Sequence, residues 1–185
     1  MRVDELTRLD LLKAATPEPW KTPMKERIKG YVIKFTGMSL DPSKNECVAT
    51  FSTVAPGHTN QLVYIQLEDF WEMFNANQES ERPLSVASLL NLVIMNGDIK
   101  IYCTCPSWIY GGYKYMASQL DYAFYDTELR FPKVRNPKLQ GTLCKHAYIV
   151  LKALPYQKFG LMGAVNSFLK QNPHLLKGGI NNARK

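Results

Sequence analysis

Two short stretches carry the residues best suited to chemistry. Cys103 and Cys105 stand one residue apart in IYCTCPSW, and Cys144 and His146 keep the same spacing in GTLCKHAY. Thiolate and imidazole are zinc ligands, and three of the first with one of the second make a closed tetrahedral set. The first pair ends a period-two run, Ile99, Ile101, Cys103, Cys105, whose side chains share one side of a strand until Pro106 stops the ladder. Two same-side thiols can grip one ion, whereas a disulfide between residues so close in sequence is badly strained. The second pair opens AYIVLKAL, where Tyr148, Val150, Leu151 and Leu154 fall at helical spacing. Residues two apart on a helix diverge by about 200°. The pair must therefore sit at the helix entrance, with Cys144 in the loop, His146 in the first turn, and Gly141 and Thr142 as loop and cap. One strand end facing one helix start predicts a single site for one structural Zn2+, with Cys103, Cys105, Cys144 and His146 as its ligands.

Catalytic readings of the same residues fare worse. Cys144 and His146 as nucleophile and base need a third orienting group and an oxyanion hole, and no surrounding motif offers either. A closed ligand set leaves no position for a reacting water. Phosphate-binding loops, dinucleotide fingerprints, metalloprotease motifs and nucleophile elbows are missing from the sequence. Nuclease carboxylates would have to come from Asp121, Asp126 and Glu128, whose spacing does not single them out. The expectation is a protein that is not an enzyme and has no small-molecule substrate.

The elements that must position the site read as α+β: an antiparallel meander sheet packed with helices, joined to a zinc lobe. YVIKFT sends Tyr31, Ile33 and Phe35 to one side, CVATFSTV follows a DPSKN turn, LVYIQL follows APGHTN, and IKIYCTC follows NGD. EDFWEMFN and the apolar stretch 84–95 read as helices that cover one sheet face. Cys47 alternates with Ala49 and Phe51 and reads as a small buried hydrophobe, and His58 in its turn reads as solvated. Residues 1–23 form an arm whose Val3, Leu6, Leu9 and Leu12 make one stripe, ended by the Pro-rich hinge TPEPWKTP. That stripe packs either on the parent domain or on a neighbouring subunit. The remaining divisions are 24–97 for the sheet and its helices, 98–154 for the zinc lobe, and 155–185 for a C-terminal helix and basic tail. AYIVLKALPYQKFGLMGAVNSFL reads as the helix after the zinc site, and the last sixteen residues as a mobile tail.

Charge divides the chain unevenly. Residues 1–100 hold 11 Lys and Arg against 13 Asp and Glu, whereas residues 101–185 hold 12 against 3, so the whole excess behind the net charge of +7 sits with the paired motifs. A basic half of this kind either seeks an anionic partner or is a solvated surface kept for solubility. The longest apolar run, PLSVASLLNLVIM, is too short to span a bilayer, so no membrane partner is expected. The first twenty residues carry charges throughout, without the apolar core of a signal peptide. With four cysteines in a chain of 185 residues, the expected setting is a reducing cytoplasm.

The pattern C-x-C, spacer, C-x-H resembles the SWIM-type zinc finger, through Cys103, Cys105, Cys144 and His146 over residues 98–154. Within it, CTCPSW followed by NPKLQGTLCKHAYIVLKAL is similar to SWIM-like segments in proteins of large-genome tailed bacteriophages. The departure is the spacer, whose 38 residues between Cys105 and Cys144 exceed those of ordinary SWIM fingers. An inserted excursion must leave the site and return. The resemblance implies a zinc-stabilised binding module for protein or nucleic acid. Its phage side implies a structural or assembly protein of a virus particle, incorporated into the virion and touching protein subunits through its arm, basic lobe and tail. The alternative is a DNA- or RNA-binding protein.

The excursion contains eight aromatics, Trp108, Tyr110, Tyr113, Tyr115, Tyr122, Phe124, Tyr125 and Phe131, interleaved with Lys114, Arg130, Lys133, Arg135 and Lys138. Rings that stack on bases beside cations that meet phosphates describe a single-strand binder. A small lobe also needs a core, and tyrosine fills both cores and protein contact surfaces. Candidate contact residues are Trp108, Tyr110, Tyr113, Lys114, Tyr115, Arg130, Lys133, Arg135 and Lys138. Lys145, between two ligands, either offsets the charge of the site or faces solvent.

Overall fold

Alternation of apolar residues builds one sheet. The computed structural model describes residue 2 and residues 24–134, 136–139 and 141–176. After a short helix α1 (Met24–Arg27), strands β1 (Val32–Asp41), β2 (Glu46–Val54) and β3 (Gln61–Leu67) follow in succession. Helices α2 (Phe70–Glu79) and α3 (Val86–Asn96) come next, and then β4 (Ile99–Cys103). The strands lie in the order β1-β2-β3-β4 and every pair is antiparallel, so the expected α+β meander is present. Cys47, Ala49, Phe51 and Thr53 of β2 are fully buried, as are Val63, Ile65 and Leu67 of β3 and Ile99, Ile101 and Cys103 of β4. The register sets Leu67, Ile65 and Val63 opposite Ile99, Ile101 and Cys103, so one apolar face crosses three strands and ends on a zinc ligand. Each fully buried Val, Leu, Ile or Phe contributes about 1.5–3 kcal/mol.

β1 departs from simple alternation. Its register slips between Phe35 and Gly37, a β-bulge that moves the inward parity from Ile33 and Phe35 to Met38 and Leu40, all half-buried. Thr36, the extra residue, donates its hydroxyl to Thr50 O at 3.0 Å.

The excursion begins with α4 (Pro106–Tyr110) and α5 (Tyr113–Gln119), and the chain returns into α6 (Lys145–Ala153) and α7 (Lys158–Gln171). α6 lies against all four strands, α7 packs on α3 and β1, and α2 packs on α3. At Gly160 a Cβ would stand 3.0 Å from Phe35 Cδ1, so the missing side chain is what lets α7 approach β1. The single helix expected after the zinc site is broken in two. Pro155 lies in a 3-10 turn, Leu154–Gln157, between α6 and α7, because proline lacks the N–H that a continuing helix requires.

The sequence division at residue 97 does not separate two packing units. β4 completes the sheet, and a single apolar core runs from Cys47 through Trp108 and Leu143 to Leu169. Of the tail expected from residue 170, Lys170 and Gln171 end α7 and Leu175 and Leu176 pack against that core; residues 177–185 lie outside the described residues. The predicted arm lies outside them too, except Arg2, which forms an isolated bridge with Asp98. No described helix is long and apolar enough to cross a membrane.

Candidate metal centre

The strand end delivers the first two ligands under tight control. Thr104, between them, donates its backbone N–H to Leu62 O and accepts Leu62 N–H at its hydroxyl, both at 3.0 Å. This fixes the C-T-C segment to the start of β3. Cys103 is the last residue of β4, and Cys105 is the N-cap of α4, its Sγ accepting the Trp108 N–H at 3.3 Å. Cys144 is likewise the N-cap of α6, its Sγ accepting the Ala147 N–H at 3.5 Å, with His146 in the first turn. The loop-and-first-turn placement expected for this pair is therefore observed, but the cap is the ligand itself. Thr142, the cap suggested by its residue type, keeps its hydroxyl buried without a partner. A sulfur cap serves a metal site well, because each N–H···S bond spreads the charge of a thiolate.

The four ligand atoms of Cys103, Cys105, Cys144 and His146 lie within 4.8 Å of one another. Tetrahedral donors about 2.3 Å from one ion stand about 3.8 Å apart, so a single ion reaches all four. All four side chains are buried, His146 the least at 6% exposed. Burial pushes the Cys103 and Cys144 thiols up, while hydrogen bonds from those thiols, with help from His146 and the Trp108 N–H, hold Cys105 down. Without a cation the three sulfurs must share protons, and His146 Nδ1 is buried with no hydrogen-bond partner. A divalent ion replaces the protons on sulfur and takes the lone pair of one imidazole nitrogen. Soft sulfur donors with one imidazole in a closed set suit structural zinc. Cys47, fully buried on β2, lies outside the cluster and is the core hydrophobe its strand position suggests.

The excursion returns to the site because its middle is tied down twice. Residues 122–124 lie beside β4, with Ile101 N–H donating to Tyr122 O at 2.8 Å and Phe124 N–H to Ile101 O at 2.9 Å. Tyr122 is fully buried, and its hydroxyl donates to Thr142 O, two residues before Cys144. Gly112, at φ +84°, would place a Cβ 2.8 Å from Pro132 Cγ, so only glycine lets the later loop close over the start of α5.

This packing divides the candidate contact residues. Trp108 is fully buried and Tyr113 is 2% exposed, so both are core and not contact surface. Lys114 is also buried, its ammonium 2.6 Å from the exposed Asp126; an ammonium held in the fold by its own carboxylate is not offered to a partner. Tyr110, Arg130, Lys133 and Lys138 are exposed, Tyr115 is half-buried, and Arg135 lies outside the described residues. Arg130 is held on Glu128 through Nε and Nη2. Lys145 neither meets the ligands nor points away: its Nζ lies 4.8 Å from the centre of the Tyr31 ring.

Sequence reasoning missed Thr104 and Tyr122 as positioning residues, and it missed a tyrosine trio. Tyr64, Tyr102 and Tyr125 have ring centroids 5.4–6.1 Å apart, on the face of the sheet opposite Ile65 and Ile101. The alternation of β3 and β4 was the signal available for Tyr64 and Tyr102.

Residues 89–114 match the family model of the SWIM zinc finger. The match includes Cys103 and Cys105 and stops before Cys144 and His146. Comparisons with curated proteins and with solved structures return no match. Sequence similarity at the first pair and the fold's delivery of the second together make Cys103, Cys105, Cys144 and His146 a SWIM-like site for one zinc ion.

Proposed function

We propose that the chain is a non-catalytic, zinc-stabilised structural protein that docks on a protein subunit of a larger assembly through the exposed side of its excursion. The observation that supports this is the composition of that side. Val134 is 90% exposed, Leu129 77%, Tyr110 65% and Phe131 44%, with Lys133 and Lys138 exposed nearby in the sequence. Aliphatic and aromatic side chains held in water beside a polar rim mark protein contact surfaces. Ile109, Tyr110, Tyr115, Phe131 and Pro132 also line a groove of about 240 Å³ with Arg130. A strand-binding platform makes less use of Leu129 and Val134, which neither stack on bases nor meet phosphates. The zinc ion, in this reading, holds both ends of the excursion so that its surface is presented rigidly. The resemblance to SWIM-like segments of tailed-phage proteins makes a virus particle the assembly we propose, with synthesis in a reducing cytoplasm and later incorporation into the virion.

The rival is nucleic-acid binding, favoured by Lys133 and Lys138, which make no ion pair among the described residues. Two measurements separate them. Purified native particles should retain the chain at a fixed ratio, and Leu129→Ser with Val134→Ser should abolish incorporation while zinc content stays at one per chain. Oligonucleotide affinity near physiological salt should be weak. Tight binding with a log-log salt slope of several phosphates, lost in Lys133→Gln with Lys138→Gln, would overturn the structural reading.

A further inference from the structure

We infer that the cavity beside the zinc centre, lined by Arg27, Lys29, His58 and Lys145, binds a phosphate ester. The cavity encloses about 570 Å³, and its lining comes from four separate pieces of chain. Glu26, Arg27, Lys29, Gly30 and Tyr31 form one wall, Ala55, Pro56 and His58 of the β2–β3 turn form another, and Ser107 of α4 and Lys145 of α6 complete it. Glu26 is the single carboxylate in that lining, against one guanidinium, two ammonium groups and an imidazole. Lys29 and Lys145 form no ion pair among the described residues. The mouth is open, since Lys29, Gly30, Pro56 and His58 are all exposed.

Tyr31 organises this cluster. Its ring lies 5.7 Å from His58 and 4.8 Å from Lys145 Nζ, and it meets His146 edge-on at 5.3 Å. The two side chains are therefore held in place around one aromatic wall, with the zinc ligand behind it. Zinc binding also fixes the start of α6, and so places Lys145. The charge of Lys145 alone could serve to offset the net negative charge of a three-thiolate zinc site, but Lys29 and His58 approach from other elements and have no such role. Two ammonium groups without an ion pair converge on a lining that holds a single carboxylate. A phosphate ester brings nearly two charges and three acceptor oxygens, which suits several donors converging from different directions. The volume exceeds a lone phosphate and admits the sugar or base attached to it. The site lies on residues other than those of the excursion surface, so it stands whether or not the docking role proposed above is correct.

The test is calorimetric titration of the zinc-loaded full chain with adenosine 5′-monophosphate, with inorganic phosphate, and with adenosine. Both phosphate probes should bind and adenosine should not; the ratio of the first two distinguishes a nucleotide from free phosphate as the occupant. Lys29→Gln, on an exposed turn away from the ligands, should weaken binding roughly tenfold, and adding Lys145→Gln should weaken it further. Zinc content and far-UV spectra check that the variants stay folded, and Lys133→Gln on the excursion should leave affinity unchanged. Failure of both phosphate probes to bind, or binding that Lys29→Gln leaves intact, would overturn the assignment.

Discussion

Tyr122→Phe should weaken zinc binding without touching a ligand. The substitution removes one hydroxyl from a fully buried ring, and with it the hydrogen bond to Thr142 O. Losing a buried hydrogen bond and leaving its acceptor unpaired costs about 1–3 kcal/mol. Where that cost appears depends on the zinc-free state. Closing a 38-residue excursion costs about 3 kcal/mol in the length-dependent part of its chain entropy, and zinc coordination contributes on the order of 10 kcal/mol toward closing it. If the excursion closes on binding, the whole loss falls on the metal affinity, which should drop about 5- to 150-fold. Competition with a chromophoric chelator measures this directly, and Tyr110→Phe, on a ring 65% exposed, is the matched control. A zinc affinity for Tyr122→Phe within twofold of the unmodified chain would refute the view that this hydroxyl clasps the returning loop to the site.

Three further perturbations have defined outcomes. Burial pushes the Cys47 thiol well above its ordinary value, so above about pH 8.5 the unfolded chain loses a proton that the folded chain keeps. Stability should then fall by about 1.4 kcal/mol per pH unit, and urea titrations from pH 7 to 10 should show that slope reduced in Cys47→Ala. Asp126→Asn leaves the Lys114 ammonium, whose side chain is 11% exposed, without its carboxylate, which is itself 75% exposed; the urea midpoint should fall by the equivalent of about 1 kcal/mol, and Lys114→Met should recover part of it. Chelation of zinc should lower helicity, because Cys105 and Cys144 cap α4 and α6 as well as ligating, and added zinc should restore it. Helicity unchanged after complete removal would contradict that coupling.

The ligand set and the sheet were legible because each rests on a short period. A thiol pair at a strand end and a Cys-x-His at a helix entrance need only local geometry, and the alternation around Cys47 and Ile101 needs only pleating. The bulge at Thr36 was hidden, since a parity switch inside β1 has no residue signature beyond Gly37. The excursion was read only in composition. Trp108, Tyr113 and Lys114 look like surface chemistry, and what buries them is packing of α4 and α5 under a loop that returns from residue 132 onward. Lys114 in particular finds its carboxylate in Asp126, twelve residues on, where the chain comes back to meet it. The sulfur caps were missed because capping preferences are learned from oxygen side chains. The cavity around Tyr31 joins residues 26–31, 55–58, 107 and 145, a meeting that only the tertiary structure brings about.

Three sulfurs and one nitrogen hold one zinc ion that closes the excursion. Metal analysis with X-ray absorption at the zinc edge on the full chain tests it most directly. One zinc per chain is expected, with three sulfur neighbours at about 2.3 Å and one nitrogen at about 2.0 Å, and loss of that signature in Cys144→Ala. A metal-free chain that is fully folded, or a zinc shell containing water oxygen or fewer than three sulfurs, would contradict it.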